Sequence, residues 1–74
     1  MPRAIETTLV DNLPAAITLD GKSKRIEVIR ETWRIDDEWW RDQIARSYME
    51  VILEGGGRVM LYEDLLTGEW FLQR

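Results

Sequence analysis

Apolar–polar alternation, interrupted four times by turn residues, constrains this chain more than any other feature. Asp11, Asn12 and Pro14 make the first interruption, Asp20-Gly21 the second, Gly55-Gly56-Gly57 the third and Thr67-Gly68 the fourth. Each type favours turns for its own reason: Gly and Asn reach positive φ, Asp bonds nearby backbone, and Pro pre-sets φ. The runs between them have a period of two, the periodicity of strands. Residues 4–10 put Ile5, Thr7 and Leu9 on one side, and residues 15–19 do the same with Ala15, Ile17 and Leu19. Residues 58–63 set Val59 and Leu61 against Met60 and Tyr62, and the closing WFLQ brings Trp70 and Leu72 onto one face. Sequential hairpins form an up-and-down sheet, and a small amphipathic sheet protects its edges by curling. The expected fold is mostly β: about six short antiparallel strands in a meander, curled into a small SH3-like or open barrel.

Two stretches are less regular. In residues 25–35, RIEVIRETWRI, Ile26 and Val28 share one face, while Ile29, Trp33 and Ile35 share the other. A phase change at Val28-Ile29 predicts a bulge or bend. Residues 37–54 carry two periodicities. Trp40, Ile44, Tyr48, Val51 and Ile52 recur at helical spacing, with Asp36 or Asp37 as a cap and Gly55 as a stop. Met49, Val51 and Leu53 instead share a strand face, and the run continues through the glycines into RVMLY, which is a hairpin signal. We take the strand, and a short helical turn over 38–42 is compatible with either reading.

Residues 33–40, WRIDDEWW, hold three of the four tryptophans. Indole rings bury large areas, so this stretch is expected to dominate the core, with Trp33 inside. Asp36, Asp37 and Glu38 cannot join a core unpaired, so the chain should turn outward there. Trp39 and Trp40 are neighbours, and on an extended segment neighbours face opposite ways. One of the two is therefore expected at the surface.

At 74 residues the chain makes one domain, 1–74, with little volume left for a pocket after a core is filled. It has neither cysteine nor histidine, which removes disulfides, thiolate zinc sites and the commonest general base. The acids Asp36, Asp37, Glu38 and Asp42 lack the spacing and mid-loop glycine of a calcium loop. Gly55-Gly56-Gly57 lacks the Lys-Ser/Thr of a phosphate loop, and Ser23 and Ser47 have no histidine to activate them. The expectation is no enzyme, no cofactor and no metal. No apolar run approaches the ~20 residues of a membrane span and no signal-peptide core appears, so the default is a soluble cytoplasmic protein. Fourteen acids against ten bases give a net charge of −4, which opposes binding to phosphate backbones. Arg3, Lys22, Lys24, Arg25 and Arg30 all lie in the first half and are the candidates for a local basic patch.

The order W-R-I-D-x-x-W-W (33–40), L-E-G-G-G-R (53–58), L-Y-E-D-L-x-T-G (61–68) and W-F-L-Q (70–73) resembles a small uncharacterised domain. That domain occurs alone or at the C-terminus of ImuB-type proteins, which look like Y-family DNA polymerases. The resemblance covers nearly the whole chain and departs at Gly55-Gly56-Gly57, where family members often carry Asp-Gly. It implies an accessory module of bacterial translesion DNA synthesis with no catalytic residues of its own. The favoured reading is a protein-interaction domain docking a translesion polymerase or associated repair protein, with self-association also open. Arg34, Trp39, Trp40, Arg41, Arg46 and Tyr62 are the candidate contact residues. Aromatic faces flanked by arginine also stack nucleobases, so the runner-up is a single-stranded nucleic-acid module. A small structural or regulatory protein unrelated to DNA is the third reading.

Overall fold

The computed structural model describes residues 3–39 and 42–73, and the side chains of Glu38, Trp39 and Asp42 fall outside that description. Six strands follow one another: β1 (Arg3–Val10), β2 (Leu13–Leu19), β3 (Lys22–Trp39), β4 (Asp42–Leu53), β5 (Arg58–Asp64) and β6 (Trp70–Gln73). Each pairs antiparallel with the next, and β6 pairs back to β1, so the meander is a closed barrel rather than an open one. The expected strand, not the helix, occupies 42–53. The helical turn admitted over 38–42 is absent at its described positions, because Glu38 and Trp39 continue β3 and pair with Gln43 and Asp42. Trp40 and Arg41 lie outside the described residues.

Turn chemistry explains the hairpins. Asp11 and Asn12 have φ of 52° and 66°, and they connect the paired residues Val10 and Leu13. Two consecutive positive φ values make the mirror-image turn whose twist suits a two-residue hairpin, and Asp and Asn tolerate it. Asp20 and Gly21, at 50° and 76°, repeat the device between Leu19 and Lys22. Pro14 sits where β2 skips a residue against Thr8 and Leu9 and has no partner on β3 among the described residues. A bulge on an unpaired edge is where a strand tolerates a missing N–H.

The core sits inside the barrel. Ile17, Met49, Val51, Leu53, Leu61, Trp70 and Leu72 are buried together, with Ile5, Leu19, Ile26, Ile29 and Val59 packed against them. Among the described residues its tryptophan is Trp70. Trp33, expected inside, is 36% exposed and stands on the outer face. The reason is register. The β3–β4 ladder slips twice, between Ile26 and Val28 and again between Ile29 and Glu31, where a single slip was expected. The first slip leaves Ile26 paired with buried Leu53 but turns Val28 outward beside Ile52, separating two residues expected to share a face. Ile29 then pairs with buried Val51, and the second slip returns the phase, so Trp33 and Ile35 pair with outward-facing Tyr48 and Arg46.

β3 outruns its neighbours. β2 accompanies it only over Lys22–Arg25, and among the described residues β4 alone pairs with it from Ile26 to Trp39. β5 in turn follows β4 only over Arg46–Ile52. The segments 36–39 and 42–45 thus form a two-stranded ribbon beyond the barrel, consistent with a long axis of 41 Å against 24 and 23 Å. Residues 33–37 of the WRIDDEWW stretch are exposed and belong to this ribbon and its approach, not to the core. One backbone bond, Leu65 N–H to the Ala45 carbonyl at 2.9 Å, clips the ribbon's base to the β5–β6 loop.

Trp70→Ala should cost about 3–5 kcal/mol, enough to erase the cooperative thermal transition of so small a domain. Trp33→Ala should stay folded and melt roughly 4–8 °C lower, in keeping with about 1 kcal/mol of lost stacking. Circular dichroism melts of the two variants check both outcomes.

Candidate functional site

The outer face of the barrel carries a ladder of four aromatic rings, one from each of β3, β4, β5 and β6. Trp33 pairs with Tyr48, Tyr48 with Tyr62, and Tyr62 with Phe71, so strand pairing alone brings them into one row. Their centroids are 5.6, 5.0 and 4.9 Å apart, with interplanar angles of 6°, 35° and 19°. Trp33 and Tyr48 are stacked, as are Tyr62 and Phe71, while Tyr48 and Tyr62 are tilted, and each contact is worth about 0.5–1.5 kcal/mol beyond its burial. The row forms because β-strands lie about 4.8 Å apart, close to the preferred separation of stacked rings.

Arg46 locks the middle of the row. Its guanidinium carbon lies 4.8 Å from the centre of the Tyr62 ring, and its Nη1 donates to the Tyr48 hydroxyl at 3.3 Å. The hydrogen bond to Tyr48 outweighs desolvation and holds the guanidinium above its ordinary pKa, with the nearby tyrosines and Asp64 adding to the effect. A permanently charged group thus sits over an aromatic face, at a gain of about 0.5–1 kcal/mol. Arg46 is the register partner of Ile35 on one side and Asp64 on the other. The face therefore reads as exposed Trp33 and Ile35 beside a fixed cation, with Tyr62 buried beneath at 3% exposure.

Of the six contact residues expected, Arg46 and Tyr62 meet in this ladder. Arg34 does not. It pairs with Ser47, on the face opposite Trp33, and its Nε and Nη2 bind the Asp36 carboxylate at 2.7 and 3.1 Å. Backbone pairing puts Trp39 near the ribbon's end, opposite Asp42, while its side chain lies outside the described set. Trp40 and Arg41 lie outside the described residues, so the expected inequality of Trp39 and Trp40 does too. Two members of the basic group are paired with acids: Arg3 with Asp20 at 2.6 Å and Arg30 with Glu50 at 3.7 Å. Arg30 is the residue skipped at the second slip of β3, which brings it beside the directly opposed carboxylates Glu31 and Glu50. Sequence reasoning missed Phe71 and misplaced Trp33. The signal for Phe71 was its alternation against Trp70 and Leu72.

No family model matches this chain, and neither curated proteins nor solved structures yield a match.

A double-mutant cycle on Trp33→Ala and Tyr48→Ala should give a coupling of about 0.5–1.5 kcal/mol. Near-UV circular dichroism of Tyr48→Ala should also lose part of the tryptophan signal, because Trp33 loses its stacking partner. Strict additivity of the two single variants would mean that the rings do not support one another.

Proposed function

We propose that this chain is a non-enzymatic interaction domain whose outer aromatic face docks a protein partner. Its resemblance to the domain at the end of ImuB-type proteins makes a translesion polymerase or associated repair protein the partner to test first. The observation that carries the docking reading is the ladder: a row of rings rigidified by stacking and by Arg46, ending in exposed Trp33 beside exposed Ile35. Tryptophan, tyrosine and arginine are the residue types that dominate protein-interface hot spots. A pre-stacked row loses little side-chain entropy on binding, which favours affinity.

The same geometry weighs against the nucleic-acid reading. Bases stack on ring faces, and here the faces of Tyr48 and Tyr62 are taken up by their neighbours. A net charge of −4 adds repulsion from phosphates.

Affinity capture with the intact chain, compared with Trp33→Ala and Ile35→Ala, tests the proposal. Both variants should remain folded and lose partner affinity by about tenfold or more, the scale of 1.4 kcal/mol. Undiminished capture by both would remove the ladder from the docking surface. Fluorescence anisotropy with labelled single- and double-stranded oligonucleotides should show no binding tighter than about micromolar at near-physiological salt. A submicromolar affinity would replace docking with the nucleic-acid reading.

A further inference from the structure

The long strand β3 has an open side. From Glu31 the ladder to β4 runs one residue to one without a slip, and β4 is the only strand paired with this stretch among the described residues. Residues 30–37 are all exposed. In an edge strand every second residue turns its N–H and C=O away from its single neighbour, so this stretch offers a row of backbone donors and acceptors. Two slips kink the strand before Glu31 and spoil pairing there, whereas the stretch after them is regular.

We propose that Glu31–Asp37 takes an extended, basic segment of the partner by β-strand addition, so that the partner supplies a strand next to β3. This rests on the docking reading above and specifies the partner's chemistry. Three observations converge. The open backbone edge supplies hydrogen bonds independent of sequence. Trp33 and Ile35 stand on the outer face of that edge strand at 36% and 41% exposure, so alternate apolar residues of an added strand would extend the aromatic row by one place. Finally, Glu31–Asp37 carries three carboxylates, on Glu31, Asp36 and Asp37, against the single guanidinium of Arg34, a formal charge of −2. A second copy of this chain would bring the same −2 to the seam and be repelled. A lysine- or arginine-bearing strand would be attracted. Charge that blunts an edge against self-pairing in this way selects a partner of opposite sign.

The test is a nuclear magnetic resonance titration of the intact, isotope-labelled chain with synthetic nonapeptides. One alternates valine with lysine, one alternates valine with glutamate, and one is the lysine peptide N-methylated along one edge. The lysine peptide should shift the backbone amides of residues 31–37, and the other two should bind about tenfold or more weakly. Glu31→Lys combined with Asp36→Lys should weaken the lysine peptide and strengthen the glutamate peptide. No shifts at millimolar lysine peptide, or shifts confined to another face, overturn the proposal. Equal binding of the N-methylated peptide, with loss of binding in Trp33→Ala, would overturn strand addition and leave docking on the ladder intact. Loss on N-methylation with no effect of Trp33→Ala would keep strand addition and remove the ladder. Sedimentation showing a dimer that these charge reversals alter would make a second copy the occupant and overturn the basic-partner proposal.

Discussion

Closure of the barrel depends on three residue pairs between the first and last strands: Arg3 with Leu72, Ala4 with Phe71 and Ile5 with Trp70. β6 is four residues long, yet it seals the interior with Trp70 and Leu72 and ends the outer aromatic row with Phe71. Inside and outside are thus coupled through one short strand. Losing its pairing to β1 would open the core to water and leave two further edges bare. A small domain with no cysteine to form a disulfide has few other ways to hold itself together.

The outer ladder acts as a second, thinner core. Tyr62 is as well buried as residues of the interior although it points outward, because Tyr48, Phe71 and Arg46 surround it. Such a surface is stiff. Where the barrel's inner face contributes through loss of water contact, the outer row contributes through ring-on-ring geometry and a held cation. Trp33, at the end of the row, has Tyr48 as its stacking partner among the described residues, which suits a residue that meets a partner.

Much of this architecture was legible in the residues. Asp11-Asn12 and Asp20-Gly21 marked two-residue hairpins, and period-two alternation put Met49, Val51 and Leu53, and Trp70 with Leu72, on inward faces. Trp33 was not legible, because its direction depends on how often β3 slips against β4. Slips are set by packing between distant strands rather than by local pattern. The ladder was hidden for a related reason: Trp33, Tyr48, Tyr62 and Phe71 are far apart in sequence, and only the register of three strand pairs aligns them. The density of tryptophan in WRIDDEWW suggested a core, but Trp33 lies outside the barrel interior, with Tyr48 stacked on it.

The two slips in β3 have a genetic corollary, which concerns parity. Between Ile26, packed against the core, and Trp33, on the outer face, one skipped residue cancels the effect of the other on side-chain direction. Glu27 and Arg30 are the extra residues of the two bulges, so deleting either leaves Trp33 opposite Tyr48, whereas deleting a paired residue such as Thr32 would shift the ladder by one and send Trp33 and Ile35 inward. Deleting both extra residues would keep the same pairs on a straighter strand. The stretch between the two anchors therefore tolerates loss of a skipped residue more readily than loss of a paired one.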